Sequence, residues 1–143
     1  MSINTAELFE LLFDKNNNTA YKALQELRKL SETSDSVYPY MDKFFDMIDD
    51  DNSYIRTRGL TLIACNSKWD KDYKLDEIID KYLKHITAKQ CIKLLPVIAE
   101  NKPELKDDII SALKKADISF YAGSMQPLVY KDIQMSLKEI QKL

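Results

Sequence analysis

The chain has 143 residues, 45% of them hydrophobic, and a formal charge of −2, which fits one domain that buries a continuous core without disulfides or a structural metal. Gly59 and Gly123 stand too far apart to build a phosphate-cradling glycine-rich loop. Cys65, Cys91 and His85 fall one ligand short of a closed zinc site, so no cofactor is expected.

Val occurs only at positions 37, 97 and 129, and apolar residues recur three and four apart, so every element is expected to be helical. Leu8, Leu11 and Leu12 mark a first helix over about 4–14, ended by the polar run at 15–18. Thr19 can cap the second, in which Ala20, Ala23, Leu24, Leu27 and Leu30 form one stripe before the polar break at 31–36. A third helix is expected over about 37–48, with Pro39 in its first turn and Tyr40, Phe44, Met47 and Ile48 on one face. The fourth follows Asp50-Asp51-Asn52-Ser53, whose acids suit the positive end of a helix, and runs to about Asn66. Residues 68–73 read as a loop. Helix five is expected over about 75–86, and Thr87 can cap helix six, which reaches about Glu100 with a kink at Pro96. Pro103 opens helix seven, to about Ala116, and a last helix runs from Ser124 or Met125 nearly to Leu143.

The two cysteines lie in apolar stretches and read as buried free thiols, which suits a reducing compartment. The first residues lack the basic start and cleavage site of a secretory signal, and no apolar run reaches the length of a membrane span. A cytoplasmic protein without membrane contact is expected.

Shifted by 35 residues, the segment 58–66 falls on 93–101 with Leu60 on Leu95, Ile63 on Ile98, Ala64 on Ala99 and Asn66 on Asn101. The preceding helices align as well, Tyr40 on Leu75, Phe44 on Ile79, Met47 on Tyr82 and Ile48 on Leu83. A shift of 36 places Ala23, Leu24 and Leu27 on Gly59, Leu60 and Ile63. A period of this length with two helices per unit is the pattern of an α-solenoid, in which neighbouring pairs stack to bury what each cannot bury alone.

Within this pattern, the segment 50–59 resembles the turn and second helix of a HEAT repeat. Asp50 is followed six positions later by Arg56, with Ile55 before it and the small Gly59 three beyond. In the next unit His85 and Cys91 take the Asp and Arg places. The resemblance implies an all-α, right-handed α-solenoid of about four HEAT-like helix pairs, about eight helices, with repeat units near 1–35, 36–70, 71–102 and 103–143. It also implies a structural ladder through Asp50 and Arg56 between adjacent repeats, with the second helices lining a concave face.

His85 sits in the last turn of helix five with no nucleophile linked to it by a motif, so it reads as structural. The acidic runs at 49–51 and at Asp70 and Asp72 lack the alternation, central glycine and closing glutamate of a calcium loop. Arg56 and Arg58, with Lys22, Lys89 and Lys93, lie on second helices. They form either one stripe able to hold phosphate or a carboxylate-rich peptide, or a set of solvated charges beside the ladder arginine. Trp69, in a polar loop, either folds back over its own repeat or presents an aromatic anchor to a partner.

With no catalytic constellation assembled, the expectation is a non-enzymatic scaffold or protein-binding module. It would use Arg56, Arg58, Lys89 and Lys93 on the concave face and Trp69 at the rim, as a monomer or weak dimer. The alternative is a nucleic-acid binder resembling HEAT-like DNA alkylation-repair proteins; a pI near 5.5 weighs against it.

Overall fold

The computed structural model describes residues 4–86 and 89–143, the side chains of Lys89 and Gln90 excepted. The described residues form eight α-helices and no strand. They divide into two compact units, Met1–Asp70 and Lys71–Leu143.

The first unit holds α1 (Thr5–Leu11), α2 (Asn17–Thr33), α3 (Met41–Met47) and α4 (Ser53–Asn66). Asparagine starts three of them. Asn4 Oδ1 accepts from Glu7 N at 2.8 Å, Asn16 Oδ1 from the amides of Asn18 and Thr19, and Asn52 Oδ1 from those of Tyr54 and Ile55. Each satisfies first-turn donors that have no partner inside the helix. The second helix therefore starts at Asn17, ahead of the expected Thr19 cap. Asp14 Oδ1 fixes the turn before it by accepting from Asn16 N. α1 stops earlier than expected because Leu12, Phe13 and Asp14 turn with i→i+3 bonds. Likewise Tyr38–Tyr40, with Pro39 in its first turn, is a 3₁₀ turn feeding α3, not its first helical turn.

α4 is the centre of this unit and lies against both α2 and α3. Every residue from Arg58 to Ala64 is buried, as expected of a helix covered on more than one side. Gly59 makes the approach to α3 possible: a Cβ there would stand 2.8 Å from Met47 Cβ and 3.1 Å from the Phe44 carbonyl. α2 meets α4 through a polar relay. Asn66 Nδ2 donates to Ser31 Oγ at 3.1 Å, and Ser31 Oγ donates to Leu27 O at 2.7 Å. These two side chains are 35 residues apart, one period of the sequence repeat.

The second unit holds α5 (Lys74–Leu83), α6 (Lys89–Asn101), α7 (Lys106–Lys115) and α8 (Gln126–Gln141). α5 ends three residues earlier than expected, since His85 and Ile86 close i→i+3 turns. Thr87, the expected cap of the next helix, lies outside the described residues. Within the unit α6 packs on α7 and α8, and α7 on α8. Pro96 lies inside α6 and has no N–H to give the carbonyl of Ile92, four residues back. Ser136 Oγ on α8 donates to that carbonyl at 2.9 Å in a buried contact. A backbone acceptor orphaned by proline thus becomes a joint between two helices.

Candidate interaction surface

The structure separates the sequence-selected residues into those that hold the fold and those that face solvent. Arg58 belongs to the first group, against expectation. It is 7% exposed, and its Nη1 donates to the Leu12 carbonyl at 2.9 Å, with Nη2 on Asn17 Oδ1 at 3.3 Å. The guanidinium also lies over the Tyr54 ring. Burial pulls its pKa below the usual arginine value, with a small opposing pull from Tyr54. It ties α4 to the end of α1 and the start of α2, and is not available to a partner.

Arg56 is half-buried and donates from Nη1 to the carbonyls of Asp50 and Asp51, both at 2.8 Å. The Asp50 carboxylate accepts from Asn52 N at 2.8 Å. Arg56 and Asp50 therefore meet through the backbone carbonyl of the α3–α4 turn, whereas Asn66–Ser31 and Arg58–Asn17 are side-chain contacts between α4 and α2.

Trp69 folds back over its own unit. Lys68 and Trp69, expected as loop, belong to a 3₁₀ turn, Ser67–Trp69, and Trp69 Nε1 donates to the Ser31 carbonyl at 2.7 Å. The Lys68 ammonium reaches the Glu32 carbonyl. Both acceptors belong to the last turn of α2, whose carbonyls have no helical donors, so an indole and a cation cap it from outside. Asp70, also buried, accepts from the Tyr38 hydroxyl at 2.6 Å.

Lys93 is exposed on α6, in line with Val97 and Glu100; the side chain of Lys89 lies outside the described residues. His85 is half-buried. Cys65 and Cys91 are free thiols. Burial raises both above the ordinary value; the nearby Arg28 pulls Cys65 partly back, and Cys91 is pushed up to about 12. Neither has the depressed pKa of a reactive cysteine. Among the described residues, no three His, Cys, Asp or Glu side chains converge to hold a metal, and no helix is long and apolar enough to cross a membrane.

Sequence reasoning read Lys102 only as part of a helix stop. Lys102 is 3% exposed. Its Nζ pairs with Asp76 at 2.6 Å and Glu104 at 3.3 Å and sits 4.8 Å from the centre of the Tyr73 ring. Tyr73 precedes α5 with φ 56, the only positive φ among the described non-glycine residues. Charge, carboxylates and ring hold the start of α5 against the α6–α7 turn. Lys102 and Asp76 lie 26 residues apart in sequence, and no local signal joins them.

Large apolar side chains face solvent in both units, Phe13 and Tyr21 in the first and Val97 and Phe120 in the second among them, and α8 carries three, Leu128, Tyr130 and Met135. α8 buries Val129, Ile133, Ser136, Leu137 and Ile140, yet leaves Leu128 50% and Met135 53% exposed. Seven residues apart, these two lie two turns along one side. On another flank, a groove of about 420 Å³ between α7 and α8 is floored by Leu113, Ile133 and Leu137 and edged by Lys114 and Tyr130. Comparison with family models, curated proteins and solved structures finds no match.

Proposed function

We propose that this protein is a non-catalytic, HEAT-like binding module that docks another protein on the second helices of its second unit. One observation carries the reading. α8 presents Leu128 and Met135 to solvent outside its buried face. An outer helix that only closes a helical stack needs a polar outer face. Two exposed aliphatic side chains in register form an unpartnered stripe, and such stripes are characteristic of interaction sites. Lys93 and Val97, exposed on α6, add one polar and one apolar contact of the same type. Several of the buried polar residues are occupied in joining elements of the fold: Arg58, Asn66 and Ser31 in the first unit, Ser136 and Lys102 in the second.

The duplex-binding alternative rested on a cationic stripe through Arg56 and Arg58, and these two guanidinium groups are spent on backbone carbonyls. The docking reading is tested by replacing Leu128 and Met135 together with Glu and measuring affinity for the protein partner captured by wild type. We expect at least a tenfold loss with unchanged helicity and melting temperature. Unchanged affinity removes α8 from the site.

A further inference from the structure

The first unit carries a second feature that points to a ligand. Phe9 on α1 and Tyr40 before α3 place their ring centres 5.1 Å apart, the planes inclined by 32°. The ammonium of Lys43 lies over both, 5.2 Å from the Phe9 centre and 5.4 Å from the Tyr40 centre. Phe13 packs edge-on against Phe9 and is 43% exposed, while the buried Phe44 supports Phe9 from within. The rings thus form an open, half-buried seat, and the group resting in it is a cation, as the negative faces of two aromatic rings favour.

The surroundings match. Residues 4–14 and 38–51, which contain α1, α3 and their flanks, hold eight carboxylates against one cation, Lys43 itself. Asp42 and Asp46 flank Lys43 on α3, and Glu10 follows Phe9. A positive segment approaching this side meets a favourable field and, at its centre, a seat suited to a planar cation. Lysine is a strongly hydrated point charge on a flexible stem, whereas guanidinium is planar, less hydrated and stacks on rings. An incoming arginine is therefore the better occupant, and Lys43, exposed on its flexible chain, can leave.

We infer that the Phe9–Tyr40 seat is a docking site for an arginine-bearing basic segment of a partner protein, with Lys43 as its resident substitute. This rests on the docking reading above and gives that partner a chemistry, at a separate surface. The test is an NMR titration of the full chain with a capped hexa-arginine peptide, using hexalysine and hexaglutamate peptides as controls. We expect hexa-arginine to shift the ring signals of Phe9 and Tyr40, to bind more tightly than hexalysine, and to weaken as salt is raised.

Tyr40→Leu leaves the charge unchanged and should weaken hexa-arginine binding about two- to fivefold. Lys43→Met, an exposed change that spares the fold, should strengthen it and abolish the preference for arginine over lysine only if the rings are also removed. Equal affinity of wild type and Tyr40→Leu overturns the proposal, as do shifts confined to other acidic positions such as Asp72. Should Tyr40→Leu fail to fold, equal affinity of Lys43→Met for hexa-arginine and hexalysine overturns it. Partner binding through Leu128 and Met135 is measured separately, so loss of the seat alone leaves the α8 reading standing.

Discussion

A methyl group at Gly59 collides with Met47 Cβ and crowds the Phe44 carbonyl, and neither is the far end of a flexible chain. Gly59→Ala gains about 1 kcal/mol of helix propensity and incurs about 1–3 kcal/mol of overpacking. We expect a net loss near 1 kcal/mol, seen as a lower urea midpoint with an unchanged slope. Arg58 is a stronger case. Arg58→Glu places an acid among the Leu12 carbonyl and buried neighbours, so it should cost about 3 kcal/mol or more and lower the melting temperature before any effect on binding is measured. Arg56→Glu, whose site is only half-buried, should cost less. For Cys91, burial holds the thiol in its neutral form up to about pH 12. Its folded pKa is raised, so its contribution to stability is whole below the ordinary value of 9.0 and declines as pH climbs from 9 towards 12. Denaturation at pH 8 and pH 10.5 should show a steeper loss for wild type than for Cys91→Ala.

At the scale of elements, the α6–α8 joint gives a prediction in the form of a cycle. Ser136→Ala leaves the Ile92 carbonyl buried without a donor and should cost about 1–3 kcal/mol. Pro96→Ala restores an amide able to reach that carbonyl, so Ser136→Ala in that background should cost clearly less. Equal costs in both backgrounds would show that proline and serine are not coupled. Half of this joint was legible in the sequence: a proline within a helical period names the carbonyl it orphans, four residues back. Its donor, 44 residues ahead, was not. The same division holds elsewhere. The apolar period located every helix, and the Asp-Asp-Asn-Ser run located the start of α4. Thr19 was read as a cap because the stripe that follows it is visible in sequence, whereas the Asp14 side chain that shapes the turn before Asn17 is a matter of local geometry. Arg58 was read as a surface cation from its charge and its place on a second helix. Its position at the head of the stretch 59–64, in which Thr61 is the one polar side chain, was a signal that it enters the core.

At the scale of the whole molecule, each unit is held together by polar contacts of its own. In the first, the Asn66–Ser31 relay and the Trp69 cap join helix ends. In the second, the Lys102–Asp76 pair and the Ser136 joint do so. The 35-residue repeat was visible as matched apolar positions. It said nothing of the surfaces, because exposure of Leu128 or Met135 depends on what packs beside α8 and leaves no mark on the period. The direct measurement is affinity capture of the tagged protein from its own cell extract after crosslinking, with and without nuclease, using wild type and the Leu128→Glu/Met135→Glu variant. We expect a protein recovered in stoichiometric amount, retained after nuclease and lost with the variant. Captured material that disappears on nuclease treatment while the variant performs like wild type would contradict the docking module and return the chain to nucleic-acid binding.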